Sequence, residues 1–265
     1  MAYLMYLVYL VVGLAAGVVG GLLGTGGCAL MMPVIRFGFH FDPALAVGTT
    51  LTAVVFTAGS GAVQHIRMGN VDKKSAWITG GSGILGVIIG SIVFAYVMPY
   101  GALIDLIIGC AFLLVTLRML YEGGKGLLGK NPLPQPAGSG MPGSALQKGT
   151  LGAAIGALTG IIGLGGGYAL VPSFIYLFKA PMKLAIGTSM ASFVWMALVG
   201  AIFKLYQNVV NIPVAVTLGI GALIGAIYGA KLVAKFKPAA LKFLFGLLFL
   251  YVSLKYILIY FGVAI

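Results

Sequence analysis

The stretch GLLGTGGCALMMP (21–33) places four glycines among its first seven residues, inside a segment that is otherwise apolar enough to cross a bilayer. A second stretch, GIIGLGGGYALVP (160–172), repeats the glycines and the proline. Glycine weakens helices and tolerates backbone conformations that other residues avoid. We therefore expect the chain to interrupt a membrane helix at each of these two places.

The composition around these stretches is that of an integral membrane protein. Hydrophobic residues make up 61% of the chain and charged residues 8%, with a mean hydropathy of +1.12, so there is too little polar surface to cover a soluble globule. Several apolar segments lie near the ~20 residues that a spanning helix needs. We therefore predict an all-α polytopic membrane protein. The apolar segments are 3–35, 43–66, 76–98, 101–121, 149–178, 184–206, 213–234 and 239–263.

The Lys and Arg residues behind the net charge of +12 stand mainly at segment ends, so we expect them to set the topology and contact lipid headgroups. We do not expect them to bind nucleic acid. Cys28 and Cys110 fall inside apolar runs and are interpreted as packing residues, so we expect neither a disulfide nor a metal site. No nucleotide-binding or catalytic motif occurs, and we predict no cofactor and no enzymatic activity. The sequence carries no signal for an oligomeric state.

The chain consists of two copies of one unit. A shift of 139 residues superposes 13–90 on 152–229 without a gap, and about 22 of the 78 aligned positions are identical. Residues 122–147 are rich in Gly, Pro and Ser and show almost no periodicity, which predicts a flexible cytoplasmic linker. The predicted organisation is a first membrane repeat (1–121), this linker, and a second membrane repeat (148–265).

The cations favour an inverted arrangement of the two repeats. If every apolar segment spans once, 9 cations lie on one side and 7 on the other; if both glycine stretches are tips of re-entrant hairpins, the split is 13 to 3. Positively charged loops stay in the cytoplasm. We therefore expect two inverted repeats, each a re-entrant helical hairpin plus three transmembrane helices, in the cytoplasmic membrane of a prokaryote with both termini outside. Eight simple spans are the alternative.

The tips of the hairpins are the predicted substrate site. The returning helix would begin near Gly27 or Gly166 and present unpaired N–H groups and the positive end of its dipole to the membrane centre. Two such N-termini from opposite faces form a site for a small anion without a buried cation. Alternatively, the glycines only permit close helix packing, which is our interpretation of Gly13, Gly17 and Gly21. The predicted tip residues are Gly24, Thr25, Gly26, Gly27, Cys28, Gly163, Leu164, Gly165, Gly166 and Gly167.

Two further motifs, AVGTT (46–50) and AIGTS (185–189), begin the helix that follows each hairpin. Their hydroxyls are predicted to bind an oxyanion or the free amides of a tip. The alternative is a hydrogen bond to a carbonyl of their own helix, which is common for Ser and Thr in membranes. The residues concerned are Thr49, Thr50, Thr188 and Ser189.

Three ionisable residues are candidates for anion access or coupling. His65 and Arg67 stand at the predicted cytoplasmic end, where they either meet the anion or contact lipid headgroups. Asp105 stands about four residues into its predicted helix, where it is either a proton site or part of a solvated helix start.

These motifs together resemble the TauE/SafE sulfite exporter family, also called 4-toluene sulfonate uptake permeases. The resemblance rests on the doubled G-x-x-G-x-G-G with Pro33 or Pro172, the A-x-G-T-[ST] at 46 and 185, and the H-x-R-x-G-N-V-D of 65–72. It covers nearly the whole chain and implies a secondary transporter of sulfite or organosulfonates. In such a transporter, alternating access would rock the two halves around a midplane site.

The direction of transport is predicted from the membrane potential. An inside-negative potential drives an anion outward by about 2.3 kcal/mol per charge per 100 mV, so export needs no coupled ion. Export is therefore our hypothesis. A proton-coupled uptake permease for an organic anion and a channel-like anion pathway are the alternatives.

Overall fold

The computed structural model describes residues 2–128, 140–164 and 166–261. All regular secondary structure within these ranges is helical, and seven of the described helices are long and apolar enough to cross a membrane. The predicted all-α, multi-pass architecture is therefore confirmed. The helices are α1 Ala2–Leu23, α2 Cys28–Pro33 with a π-helical continuation Val34–Gly38, α3 Pro43–Arg67, α4 Lys73–Val97, α5 Gly101–Leu127, α6 Ala145–Ile162, α7 Gly167–Tyr176, α8 Met182–Tyr206, α9 Ile212–Leu232 with a 3-10 turn Val233–Lys235, and α10 Pro238–Tyr260.

The chain folds back on itself after α1. Gly27 packs so closely on Ala16 that a methyl group there would lie 2.5 Å from the Ala16 carbonyl oxygen. Twelve residues further on, the ring of Phe39 lies 4.6 Å from the ring of Tyr9. Helix α2 and its continuation therefore run back beside α1 and form a helical hairpin instead of one continuous span.

The second glycine stretch makes the same hairpin from α6 and α7. A methyl group at Gly166 would lie 3.3 Å from the side chain of Ile155, and the ring of Phe178 packs on Gly143 near the start of α6. The first limbs are long, since α1 has 22 residues and α6 has 18.

Each hairpin packs against a helix from the other half of the chain. Helices α1 and α9 run parallel along a seam of small residues, and so do α6 and α4, because glycine and alanine let the two backbones approach closely. This confirms close packing as the role of Gly13, Gly17 and Gly21. The contacts are Gly13 with Leu218, Gly17 with Ala222, Gly21 with Ala226, Gly152 with Thr79, Gly156 with Gly83 and Gly160 with Val87.

Equivalent helices of the two repeats pack antiparallel to each other. In the α3–α8 pair, Gly200 meets Leu51 while Gly61 meets Met190. The α5–α10 pair is also antiparallel, as shown by Gly109 with Ile257 and Gly123 with Phe243. Antiparallel packing of equivalent helices is what two repeats related by a two-fold axis perpendicular to the helices would show. The inverted orientation of the repeats in a membrane stays a prediction.

The connection between the repeats is shorter than the predicted linker. Helix α5 continues to Leu127, with Gly126 packed on Ala239 of α10, and α6 already begins at Ala145. Residues 129–139 of the linker lie outside the described residues. The division of the chain into two membrane repeats stays a prediction.

Candidate functional site

The first tip joins α1 to α2 through glycines in left-handed backbone conformations. The φ angles are 76° at Gly24, 69° at Gly26 and 81° at Gly27, which any side chain would strain. The amide of Gly27 donates to Thr25 Oγ1 over 3.4 Å, and the thiol of Cys28 donates to the Thr25 carbonyl over 3.0 Å. All five of these residues are buried. The break therefore needs glycine at three of its five positions.

The second tip joins α6 to α7. Gly163 ends α6 with a φ of 65°, and Leu164 after it is fully buried. The carbonyl of Gly166 accepts from the amides of Ala169 at 3.2 Å and Leu170 at 2.7 Å, which closes the first turn of α7. Gly165, one of the predicted site residues, lies outside the described residues.

The two tips meet each other. The thiol of Cys28 donates to the carbonyl of Leu164 across the contact. On the other side, a methyl group at Gly167 would overlap the Gly24 carbonyl and lie 2.6 Å from the Cα of Thr25. The structure therefore brings the predicted residues of both tips together into one contact.

This contact lies level with the middle of the two central helices. Gly26 faces Val54 and Phe193, which stand near the midpoints of α3 and α8. The side chain of Ile186 covers Gly24, and that of Val47 covers Gly163. The tips are therefore enclosed by one helix from each repeat.

The glycine and first threonine of AVGTT anchor a loop from the other repeat. A methyl group at Gly48 would lie 2.9 Å from the carbonyl carbon of Val209 and overlap its oxygen. Beside it, Thr49 Oγ1 accepts from the amide of Asn211 over 3.0 Å. The loop between α8 and α9 therefore rests on the start of α3.

The motif AIGTS makes the equivalent contact. Gly187 packs on the carbonyl of Asn70, and Thr188 Oγ1 accepts from the amide of Asp72 over 3.0 Å. Sequence reasoning missed this role, because the loop comes from the other repeat. The oxygens of Thr49 and Thr188 thus bind loop amides, and anion binding by these two residues stays a prediction.

The last residues of the two motifs differ in their contacts. Ser189 Oγ donates to the carbonyl of Gly24 over 3.2 Å. Thr50, at the equivalent position, has a fully buried hydroxyl, and so does Tyr168 at the start of α7; neither hydroxyl has a hydrogen-bond partner among the described residues. A buried, unpaired hydroxyl is costly, so these two groups are available to a ligand.

The three candidates for anion access have different environments. His65 is fully buried, and its Nε2 donates to the carbonyl of Gly21 over 3.0 Å. Arg67 is exposed. Asp105 is only 2% exposed and pairs with Arg36 over 3.0 Å, so its interpretation as a solvated helix start is wrong.

Sequence reasoning missed the burial of Lys204, which the cation count sets with Arg36 and Lys255 on the side opposite the other cations. The structure buries it completely, and its Nζ donates to the carbonyl of Gly160 over 2.7 Å. The internal repeat offered a signal, since Lys204 aligns with His65 and Gly160 with Gly21. A side chain from α3 or α8 thus binds a carbonyl near the end of the first limb of each hairpin.

The loop that rests on AIGTS also holds the end of the linker. The carboxylate of Asp72 accepts from the amide of Met141 over 2.8 Å and from the Ser75 amide and hydroxyl. Burial raises the pKa of Asp72, but these hydrogen bonds and the charge of Lys148 outweigh it, so the pKa lies below its ordinary value. Asp72 is therefore ionised at neutral pH.

Among the described residues, none of the chain's four acidic side chains has a contact with the tips. Asp42 is exposed, Asp72 binds Met141, Asp105 pairs with Arg36 and Glu122 pairs with Lys242 over 2.6 Å. Within the described ranges, no three His, Cys, Asp or Glu residues lie together as a metal site would require. The tips thus offer neutral hydroxyl, thiol and amide groups near two helix N-termini, which suits an anion.

The sequence matches the model of a known protein family. The family model described as "Sulfite exporter TauE/SafE" matches residues 9–256. No solved structure matches the chain significantly.

The curated relatives carry related names. The probable membrane transporter protein YunE of Bacillus subtilis is 28% identical over 279 residues, covering 97% of this chain and 98% of the relative. YdhB of the same organism, named in the same way, is 27% identical and covers 81% of this chain and 85% of its own. A probable membrane transporter protein of Xylella fastidiosa is 27% identical, with 91% of both chains covered.

Proposed function

Because the chain belongs to the sulfite exporter TauE/SafE family of membrane transporters, we propose that it exports sulfite or an organosulfonate across the cytoplasmic membrane. The family and the relatives' names indicate a transporter and not an enzyme. The substrate, the direction and the mechanism are our proposal. The observation that carries it is the contact between two buried helix breaks, next to hydroxyls that lack partners.

The anion would bind where the two tips meet. Helix N-termini attract anions through free amides and the helix dipole. The unpaired hydroxyls of Thr50 and Tyr168 would add hydrogen bonds to oxyanion oxygens. Because the acidic side chains of the chain bind elsewhere, no carboxylate would repel a sulfonate or sulfite there.

The rigid units that move in alternating access would differ from the two halves of the sequence. Helix α1 is bound along its length to α9, and α6 to α4. A rigid-body motion therefore would carry each hairpin together with its partner from the other repeat. We propose that these two crossed units rotate against each other around the tips, exposing the anion to one side at a time.

The test is transport by the purified chain in proteoliposomes loaded with radiolabelled sulfite or methanesulfonate. Saturable efflux that an applied potential accelerates is expected. Accumulation driven by a pH difference alone would indicate proton-coupled uptake, and flux without saturation or counterflow would indicate a channel. Either result would refute export by alternating access.

The tip site is tested with the double variant Thr50→Val and Tyr168→Phe, which removes two hydroxyls and keeps both shapes. We expect KM to rise by about tenfold, the effect of losing one or two hydrogen bonds to an anion. Thr79→Val is the matched control, because this hydroxyl is also buried and unpaired but lies in the α4–α6 contact. An unchanged KM in the double variant would rule out the tips as the binding site.

A further inference from the structure

Two basic side chains have equivalent positions in the repeats and share one structural task. His65 binds the carbonyl of Gly21 and Lys204 binds that of Gly160, each three residues before the tip begins. Carbonyls in the last turn of a helix lack partners within the helix, and basic groups near a helix C-terminus also suit its dipole. Each side chain therefore stabilises the end of a hairpin's first limb.

The surroundings of Lys204 contain more polar groups than this task requires. Its Nζ also donates to Gln207 Oε1 over 3.4 Å and lies 3.1 Å from the centre of the Phe94 ring. Gln207 in turn donates through Nε2 to the carbonyl of Ser91 over 2.7 Å. The hydroxyl of Ser91 is fully buried and has no hydrogen-bond partner among the described atoms. Together these groups form a cluster of donors between α4, α6 and α8.

The amino group of Lys204 has no acidic partner among the described residues. The lysine is fully buried, and no described acidic side chain lies within ion-pair distance of it. A buried lysine without an acidic partner in a membrane helix is expensive and marks a functional position. Its carbonyl, amide and ring neighbours supply only partial negative charge.

The equivalent environment of His65 shows that the additional groups are dispensable for the fold. Around His65 the positions equivalent to Ser91, Phe94 and Gln207 are Ala230 and Val233 of the second repeat and Met68 of the first, and histidine takes the place of the lysine. Yet His65 still binds its carbonyl. The lysine amino group, the free hydroxyl and the amide are therefore specific to one end of the molecule.

We propose that Lys204, Gln207 and Ser91 form a second anion site, separate from the tips, that binds a small oxyanion on its way through the protein. This inference rests on the proposed transport of anions. Lysine, amide and hydroxyl donors match the oxygens of sulfite, a sulfonate or sulfate. By the cation count, the site lies towards the outside of the membrane, so an exported anion reaches it after leaving the tips.

The experiment replaces the cluster with the residues found around His65, in the triple variant S91A, K204H and Q207M. The histidine keeps a donor for the Gly160 carbonyl, and it is largely uncharged at pH 8. Binding of radiolabelled sulfite under nitrogen, and of radiolabelled sulfate, is measured by equilibrium dialysis of the purified full chain. Thermal denaturation verifies folding. The control K255Q removes a half-buried charge from α10.

We expect two bound anions per chain for the wild type and for K255Q, and one for the folded triple variant. The double variant at Thr50 and Tyr168 should lose the other site. If the folded triple variant binds as many anions as the wild type with the same affinity, the second site is refuted and the tip site stands. If the wild type binds sulfate at this cluster but transports neither sulfite nor a sulfonate, the proposed function fails and the second site stands. If the wild type binds neither anion, both fail.

Discussion

Gly167→Ala tests the contact between the tips most directly. The added methyl group would lie 2.6 Å from the Cα of Thr25 and overlap the Gly24 carbonyl. Carbon atoms pack best about 3.5–4.0 Å apart, so one tip must withdraw by roughly 1 Å. Overpacking of this kind costs about 1–3 kcal/mol, and both obstructing atoms belong to the backbone and cannot rotate away.

The variant should melt roughly 2–8 °C below the wild type, measured on the detergent-purified protein, and should transport more slowly in proteoliposomes. Gly81→Ala is the matched control, because a methyl group at Gly81 in α4 meets nothing within 4 Å. Alanine favours a helix over glycine by about 0.5–1 kcal/mol, so this control should melt at or slightly above the wild-type temperature. A Gly167→Ala protein with wild-type melting and wild-type transport would refute the backbone contact between the tips.

Two further substitutions test the charged contacts around the bundle. Arg36→Gln should destabilise the protein by about 3 kcal/mol, because it leaves the buried Asp105 without its partner. Adding Asp105→Asn should restore part of the lost melting temperature. A single variant as stable as the wild type would contradict the pairing. Because the pKa of Asp72 is lowered on folding, its contribution is fully present above the unfolded value of about 3.9 and is lost as the pH falls below it. Melting curves between pH 3 and 7 should therefore fall less steeply for Asp72→Asn than for the wild type, and parallel curves would contradict this linkage.

The sequence predicts the helix breaks well because their cause is local. Gly24, Gly26 and Gly27 need no partner to make a left-handed turn favourable, and the same pattern recurs near Gly163. The composition likewise predicts the helical, membrane-embedded class. The cation count favoured the hairpins because positive charge at helix ends depends on topology more than on packing.

The sequence does not predict contacts between distant segments. Thr49 binds Asn211, and the intervening 162 residues leave no periodic signal of that pairing. The solvated alternative for Asp105 fails because its partner Arg36 stands 69 residues away in the chain. The sequence shows Lys204 only as a lysine near the end of an apolar segment, since hydrophobicity cannot tell which face of a helix is covered.

The crossed pairing of α1 with α9 also constrains how the protein is made. Helix α9 begins at Ile212, so about four-fifths of the chain is synthesised before α1 can meet its partner. At translation rates of 5–20 residues per second, this delay is roughly 10–40 s. During that interval the glycine-lined face of α1 is exposed to lipid or to the insertion machinery. Assembly in the bilayer is therefore completed late. A ribosome that stalls before α9 leaves the N-terminal hairpin without the helix it packs against.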